Sequence, residues 1–576
     1  MILQALNQYY DRLAADPKQN IAPFGFSRQK ISFCIVVEPD GTLASFQPVV
    51  SEVVKGKPLP ENLIAPGQAK PPGAGLNPCF LWDNVTYLLG VVPEGREAEW
   101  AEKRFEAFRD RHLAVEKEIS DEAFSSVCRF LKRWQPSQVA DHPELADMTK
   151  NFGAFRIRGR EGYVHDRPAV QEWWRKQTAN QSEGEIGRCL VTNETLPLAR
   201  LHEPKIKGVR DAQSSGALLI SFNLDAFESY GKTQSYNSPV SEKAAFQYAT
   251  ALNRLLDDMD RRAQIGDATT VFWTETPTPA EKIVSPFLGG YIPPAQEGED
   301  NELLAALKAF LDCLRKGKRD ELASQLGTPE TKYFILGLSP NASRISVRFW
   351  LSGTLGELGT GLARHIRELD IVGLPDERPP TLRDLLRETA REAKDIPPLL
   401  EGGLTRAILM DTDYPQAFYQ AILRRIGADR RITPNRAAAI KVVLIRNYGK
   451  EIPMSLDVNR PEAAYHLGRW FALLEKIQRD QPGSEKLNTT IKDRFYTCAS
   501  ATPAAVFPRL IQLSQHHLRK IENPGLRITR EKQTQEIADR LNVFPRRLNL
   551  EDQGLFHLGY YHQNRDLYTK KEEPKE

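Results

Sequence analysis

Basic side chains concentrate in one stretch of this sequence, and their chemistry is that of phosphate binding. Between Arg424 and Lys450, eight Lys or Arg residues stand against one acidic residue, a local excess of eight minus one, or seven, positive charges. Like charges at this density repel one another unless a polyanion neutralises them. The stretch therefore predicts contact with nucleic-acid phosphates, with a solvated helical surface as the alternative. The residues selected as phosphate contacts are Arg424, Arg425, Arg436 and Lys441.

Two smaller basic groups have the same chemistry. Arg156 and Arg158 alternate with apolar residues, as on a strand that buries one face and offers guanidinium groups on the other. Lys205 and Lys207 form the second group. Trp173 and Trp174, which lie between the two groups in the chain, could stack on unpaired bases, although a core position is the more common one for at least one of them.

A short polar segment offers groups that can touch the edges or the backbone of nucleic acid. It contains Lys232, Gln234 and Asn237, together with Gly231 and Ser235. A capped surface loop explains the same composition equally well. Both interpretations stay open.

Catalytic constellations are not evident. Tyr230-Gly231-Lys232-Thr233 is similar to the end of a phosphate-binding loop, but Ala226 stands where that motif requires glycine. His165-Asp166 is an isolated pair, and neither HExxH nor GxSxG occurs. We therefore expect a non-enzymatic protein without a metal or cofactor. A metal-dependent nuclease built from dispersed carboxylates is the alternative from the enzyme class, and a non-specific nucleoprotein scaffold is the third interpretation.

The bulk properties indicate a protein of the cytoplasm. The chain has 576 residues, of which 41% are hydrophobic and 27% charged, enough for several well-packed cores. Its six cysteines are far apart and form no CxxC pair, which suits a reducing compartment. No segment has the length and apolarity of a membrane span or signal peptide, so we expect no membrane contact.

The elements that must position these residues divide the chain in two. Apolar residues at 31–37, followed by Asp40-Gly41, predict a strand and a hairpin turn; helices are predicted near 97–118, 121–134 and 244–262. A strand is also predicted at 217–222, and residues 59–78, rich in Pro and Gly, predict a loop. Beyond about residue 381 the signals are helical. The predicted helix starts there are Thr433-Pro434, Thr502-Pro503, Thr529 and Asn549, and Leu467, Phe471 and Leu474 share one helix face.

The predicted class is α+β, a mixed N-terminal part with small antiparallel sheets followed by an all-α C-terminal bundle. The predicted domains are a mixed domain at 1–380, a basic helical segment at 381–453 and a helical bundle at 454–576.

Several blocks of sequence, spread over nearly the full length, are those of a known family in the same order. They are 1–6 with Tyr9-Tyr10, 78–84 with Tyr87 and Gly90, 214–217 with 221–223, 226–232, 338–341 with 344–350, 467–469 and 491–494. These blocks resemble the large subunits of subtype I-C Cascade, a bacterial RNA-guided CRISPR surveillance complex.

The resemblance implies a function that the composition alone does not indicate. Such subunits recognise the protospacer-adjacent motif in double-stranded DNA, promote unwinding and R-loop formation, and help to recruit a helicase-nuclease that does the cutting. The implied partners are the guide RNA, the backbone, handle-binding and small subunits of Cascade, target DNA and that nuclease. In such complexes the protein recognises a few base pairs and the DNA backbone, while base pairing with the guide RNA recognises the rest of the target sequence.

The resemblance also places motif reading in the N-terminal domain. The candidate loop contains Lys70, Gly73, Ala74, Gly75 and Asn77, where glycines allow close backbone approach and Asn77 offers a donor and an acceptor to a base edge. Lys232, Gln234 and Asn237 are then strand-separating or backbone contacts. Some related systems make the small subunit from an internal start, and Met454 would give a product of 576 − 453 = 123 residues.

Overall fold

The structure is a computed structural model of the whole chain. The residues that it describes are 2–54, 57–67, 75–148, 151–180, 184–265, 267–289, 309–310, 312–313, 316, 325–375, 379–484 and 489–569.

Helices make up most of the regular structure in these ranges. The α-helices are α1 (Ile2–Ala14), α2 (Val85–Leu89), α3 (Ala98–Ala114), α4 (Glu122–Arg133), α5 (Pro168–Asn180), α6 (Glu242–Asp257), α7 (Ala280–Gly289), α8 (Leu355–Leu369), α9 (Leu382–Arg387), α10 (Pro398–Leu409), α11 (Gln416–Asp429), α12 (Pro434–Tyr448), α13 (Ala463–Asp480), α14 (Ile491–Ala499), α15 (Pro503–Arg519), α16 (Pro524–Ala538) and α17 (Leu550–Tyr568).

Strands are confined to the first part of the chain. They are β1 (Phe26–Ile31), β2 (Phe33–Val37), β3 (Leu43–Pro48), β4 (Val50–Val54), β5 (Lys57–Pro66), β6 (Trp82–Asn84), β7 (Phe152–Ile157), β8 (Ile186–Arg188), β9 (Thr195–Pro197), β10 (Arg262–Ile265), β11 (Ala268–Thr274), β12 (Lys332–Asn341) and β13 (Arg344–Thr354). Beyond β13 the described regular elements are all helical. The predicted α+β class is confirmed.

The chain forms two compact units. The first comprises residues 1–206 and 215–254, and the second comprises 207–214 and 255–576. The sequence boundary placed at 380 therefore falls inside the second unit. The functional division at 381 and 454 stays a prediction.

The first unit is built around a four-stranded sheet of order β3-β2-β7-β6, in which β2 and β7 run parallel. All five residues of β2 are buried, because α3 and α4 pack on one face while β1, β5 and Tyr163 cover the other. A strand covered on both faces has a continuous apolar sequence, which explains the run at 33–37. The predicted Asp40-Gly41 turn joins β2 to β3, with Gly41 at φ +91°. A second sheet has the order β1-β5-β4, and β8 pairs with β9.

The second unit has one antiparallel sheet, of order β10-β11-β12-β13, and the helical bundle. At the centre of the bundle α13 lies against α17. Gly468 of α13 lies against the backbone of Phe556, and Gly559 of α17 lies against the backbone of Tyr465, so the two helices approach closely. The predicted face of Leu467, Phe471 and Leu474 is buried, as the periodicity indicated. A helix buried on nearly all sides, like α13, lies at the core of a large bundle.

Candidate nucleic-acid interface

The predicted motif loop lies between β5 and β6, and only part of it can be described. Lys70, Gly73 and Ala74 lie outside the described residues. Gly75 and Asn77 are both exposed. The two ends of the loop show how it is positioned.

The incoming end of the loop is fixed by three hydrogen bonds. The Gly67 N–H donates to the Gly25 carbonyl at 2.8 Å, and the Ser27 hydroxyl donates to the Gly67 carbonyl at 2.5 Å. The buried Trp82 indole N–H donates to the Pro66 carbonyl at 2.8 Å. Because Gly67 has φ +90°, a conformation that favours glycine, the chain leaves β5 in a fixed direction.

The outgoing end is held by Tyr87, whose ring is buried. Its hydroxyl accepts from the Asn77 N–H at 3.2 Å and donates to the Gly75 carbonyl at 3.4 Å. Arg111 donates to the Pro78 carbonyl, and the Cys79 N–H donates to Asp83 at 2.9 Å. The Asn77 side chain therefore projects from a fixed backbone into solvent, as a base-reading group must.

The residues after the loop form a framework rather than a binding surface. Leu81 has φ +63°, and its N–H donates to the buried His112 Nε2 at 2.9 Å. Burial lowers the pKa of His112 to about 3, so its imidazole is neutral and free to accept. Phe80 stacks on His112 with ring centroids 5.0 Å apart.

Trp173 and Trp174 belong to this framework too. Their rings pack on Phe80 at 5.1 and 5.2 Å. The indole N–H of Trp173 donates to Glu118 at 2.8 Å, and that of Trp174 donates to the Gly25 carbonyl at 2.7 Å. Trp174 thus contacts the residue that anchors the loop, and packing explains both tryptophans.

The polar segment at 232–237 closes a tight turn. Lys232 pairs with Ser229 across Tyr230 and Gly231, which have φ +54° and +70°. The Asn237 amide donates to the carbonyls of Lys232 and Gln234 at 2.7 and 2.9 Å and accepts from the Ser229 N–H at 2.9 Å. Asn237 therefore fastens the turn, and the Gln234 side chain accepts from Arg200 at 2.7 Å. Lys232 is left exposed.

Tyr230, at the tip of this turn, is the residue that the sequence analysis passed over. Its side chain is 100% exposed. A left-handed backbone costs an L-residue roughly 1–2 kcal/mol, so a strained, fully exposed aromatic ring is a candidate for contact with another molecule. Tyr230-Gly231 was present in the sequence, but Tyr230 itself was considered as part of a phosphate loop and of a family block, and not as the tip of a turn.

The smaller basic groups differ in how far they are committed to protein contacts. The half-buried Arg156 lies 4.2 Å from the Tyr163 ring centroid, and Arg158 pairs with Glu38 at 2.6 Å. Arg158 is 59% exposed despite that pair, and Lys205 and Lys207 are exposed. Lys205 belongs to the first unit and Lys207 to the second.

Much of the basic stretch at 424–450 is turned inward. The Arg436 side chain is 7% exposed and donates to Glu388 at 2.8 Å and to Asp429 at 2.7 Å. The buried Lys441 donates to the Asp370 carbonyl, and burial lowers its pKa. Arg425 also pairs with Asp429, at 2.6 Å. Phosphate contact by this stretch therefore depends on its exposed members.

The exposed members are Arg424, Arg430 and Arg431, and we call these three, together with the exposed Arg494 of α14, the C-terminal basic patch. Arg424 lies one turn before Gly427, whose carbonyl accepts from Thr497 of α14 at 3.2 Å. Arg430 lies 4.0 Å from Asp493, also on α14. Arg494 was noted in the sequence only as part of a family block. The sequence alone did not show that α14, which contains Arg494, lies beside the end of α11.

Tests for other kinds of site add nothing further within the described ranges. There, no group of three or more His, Cys, Asp or Glu side chains is placed to hold a metal ion. His165 is buried with its Nε2 3.7 Å from Asp166, and burial lowers its pKa. None of the described helices is both long enough and apolar enough to span a membrane.

A comparison with protein families matches nearly the whole chain. The model of a family described as CRISPR-associated protein (Cas_Csd1) matches residues 6–568. No curated protein sequence gives a significant match.

Proposed function

The chain belongs to the Cas_Csd1 family of CRISPR-associated proteins, and from this premise we propose that it is the large, non-catalytic subunit of a subtype I-C Cascade complex. In this role it reads the protospacer-adjacent motif in double-stranded DNA, promotes unwinding and R-loop formation, and helps to recruit the helicase-nuclease. Its partners are the guide RNA, the other Cascade subunits and target DNA, in the bacterial cytoplasm. No cofactor is needed for these steps.

The observation that carries the proposal is the anchoring of the loop that contains Asn77. Hydrogen bonds from Trp82 and Ser27 hold Pro66 and Gly67, and Tyr87 holds the backbone of Asn77, so Asn77 itself is presented at small conformational cost. An exposed asparagine on a fixed backbone can form a bidentate contact with a base edge, worth about 1–3 kcal/mol of discrimination.

The turn at Tyr230 is suited to separating the strands. An exposed aromatic ring on a fastened turn can stack on the last base pair of a duplex and replace the stacking that unwinding removes. The exposed Lys232 beside it can contact a backbone phosphate. The fastening by Asn237 supplies the rigidity that a wedge requires.

The C-terminal basic patch is suited to a single strand. Four exposed guanidinium groups on α11, α14 and the turn between α11 and α12 can track phosphates without reading sequence. Exposed Arg158, Lys205 and Lys207 are further candidates for phosphate contact.

The test is DNA binding by the reconstituted guide-RNA complex, with and without this subunit, at a stated salt concentration. Matched targets whose flanking trinucleotide is varied should bind with flank-dependent affinity only when the subunit is present. Binding that ignores the flank supports the scaffold alternative. Cleavage by the subunit alone with magnesium or manganese, lost on substitution of a carboxylate, supports the nuclease alternative.

A separate product starting at Met454 is a further part of the proposal. It would contain α13 to α17, whose central α13–α17 contact lies entirely within it. Mass spectrometry of the native host should find a peptide with its N-terminus at Met454. Its absence would refute this part alone.

A further inference from the structure

A cleft lies beside the described end of the motif loop, at the start of α3. It has a volume of about 330 Å³ and is lined by Leu76, Glu97, Glu99, Trp100, Lys103 and Arg104. We call it the Trp100 cleft. Its volume is at the lower end of the roughly 300–1,000 Å³ typical of small-ligand sites.

The wall of the cleft is a preformed stack. The Arg104 guanidinium lies 3.4 Å from the Trp100 ring centroid, and its Nη1 donates to the Trp100 carbonyl at 3.0 Å. Arg104 is only 8% exposed, so this guanidinium is fixed. The exposed Arg96 guanidinium lies 5.0 Å from the same centroid. Because Arg104 covers one face of the indole at contact distance, a further flat group would stack on the opposite face, and the exposed Arg96 side chain can move aside to admit it.

The charges of the cleft distinguish the two ends of such a ligand. Lys103 and Arg96 are exposed cations that can meet a phosphate, although Lys103 also pairs with Glu99 at 2.6 Å. Glu97 is the N-cap residue of α3 and makes no side-chain capping hydrogen bond. Its carboxylate can accept from the N–H groups on the Watson–Crick edge of a base, which are available only when the base is unpaired.

The cleft is continuous with the motif loop. Leu76, 52% exposed, lies between Gly75 and Asn77 and forms one wall. Arg104 lies 5.9 Å from the ring of Tyr87, whose hydroxyl holds the loop. A nucleotide in the cleft would therefore neighbour the base pairs that the loop contacts.

We propose that the Trp100 cleft binds one unpaired nucleobase of a bound nucleic acid, stacked on Trp100 with its edge toward Glu97. This inference rests on the proposed function for the presence of nucleic acid at the loop. Target DNA and guide RNA offer the same chemistry, so the experiment must separate them.

The experiment is photocrosslinking in the reconstituted complex. One arm carries 5-bromodeoxyuridine at successive positions of the DNA flank, and the other carries 4-thiouridine at successive positions of the guide RNA. The expected crosslink maps to the peptide containing Trp100, and the arm that yields it identifies the source. Trp100→Ala should lower its yield at least tenfold, whereas Lys117→Ala, which removes an exposed cation beyond the opposite end of α3, should leave it unchanged.

An abasic scan gives a second readout that does not depend on photochemistry. An abasic nucleotide at the bound position should weaken binding as much as Trp100→Ala does, and the two changes together should weaken it no further. Trp100→Phe, which keeps an aromatic ring, should retain part of the affinity. Unfolding temperatures of the variants show whether the fold is intact.

The outcomes separate this inference from the proposed function. Flank-dependent binding, with an abasic scan in which no position depends on Trp100, overturns the cleft assignment and leaves the motif-reading role. A crosslink at Trp100 in a complex that ignores the flank overturns motif reading and leaves the cleft as a base-binding site.

Discussion

Replacing Tyr87 by phenylalanine should weaken motif recognition while leaving the protein folded. The Tyr87 ring is buried and packs in the core of the first unit, and phenylalanine keeps that packing. The change removes the hydroxyl that holds Asn77 N–H at 3.2 Å and Gly75 C=O at 3.4 Å. Each such bond contributes about 0.5–1.5 kcal/mol, and these two are long, so the loop loses about 1–2 kcal/mol of fixation. Affinity for a matched target should fall about 5- to 30-fold.

The measurement is the dissociation constant of the reconstituted complex for targets with the matched flank and with a substituted flank. Only the matched flank should lose affinity, because the lost interaction orders the reading loop and not the phosphate contacts. Tyr163→Phe is the matched control in the same unit, since among the described residues its buried hydroxyl has no hydrogen-bond partner. Equal weakening for both flanks, or unchanged affinity for the matched flank, would refute the positioning role of Tyr87.

Three further predictions concern the second unit. Arg436→Ala should lower the free energy of unfolding by about 2 kcal/mol, less than the roughly 3–5 kcal/mol typical of a fully buried pair, because Asp429 is 30% exposed and keeps Arg425 as a partner. Arg424→Ala should leave the free energy of unfolding unchanged but lower the salt slope of DNA binding by about 1. The reverse result would make Arg424 the structural residue and Arg436 the phosphate contact. Burial lowers the pKa of His557 to about 3. As pH falls from 6.5 toward 3, the unfolded chain therefore binds a proton that the folded chain does not bind, and the free energy of unfolding drops by ~1.4 kcal/mol per pH unit. Chemical unfolding at pH 7.5 and 5.5 should show this fall, and His557→Gln should reduce it. Gly468→Ala places a Cβ against the Phe556 carbonyl and should cost about 3 kcal/mol or more, whereas Gly427→Ala meets only Thr497 at 3.9 Å and should be neutral or stabilising in thermal unfolding.

The fold could be predicted where local signals and burial agree. Thr433 accepts from the Arg436 N–H and begins α12, and Asn549 accepts from the Asp552 N–H and begins α17, as their residue types indicated. The predicted cap at Thr529 was wrong: Asn523, followed by Pro524, begins that helix, and Thr529 lies inside it. Its hydroxyl donates to the Gly525 carbonyl instead, which a threonine in a helix interior commonly does.

The strand predicted at 217–222 was also wrong. Ala217 pairs with Ile206 in an isolated bridge and Leu218 is also a bridge residue, but residues 219–222 continue without a ladder. An apolar run shows that residues are buried but does not supply the neighbouring strand that a ladder needs. That neighbour is set by tertiary structure, which a single sequence does not give.

The candidate site was predicted at the level of segments and not of side chains. The sequence located the loop before Phe80, the turn after Gly231 and the basic stretch at 424–450. It could not tell that Arg436 and Lys441 point inward, because their partners Glu388 and Asp370 are 48 and 71 residues away. It missed Tyr230 and Arg494 because exposure depends on the packed fold.

Side chains that scaffold a site and side chains that bind a ligand differ in whether their polar groups are already satisfied. The amide of Asn237, the guanidinium of Arg436 and the indole N–H of Trp174 are all bonded within the protein. A ligand that contacted them would first have to break those bonds, at a cost near the gain from the new contact. Asn77, Lys232 and Arg424 instead present their side chains to solvent on backbones that the satisfied residues hold in place. Substitutions in the first group should therefore change stability and binding together, whereas substitutions in the second should change binding alone.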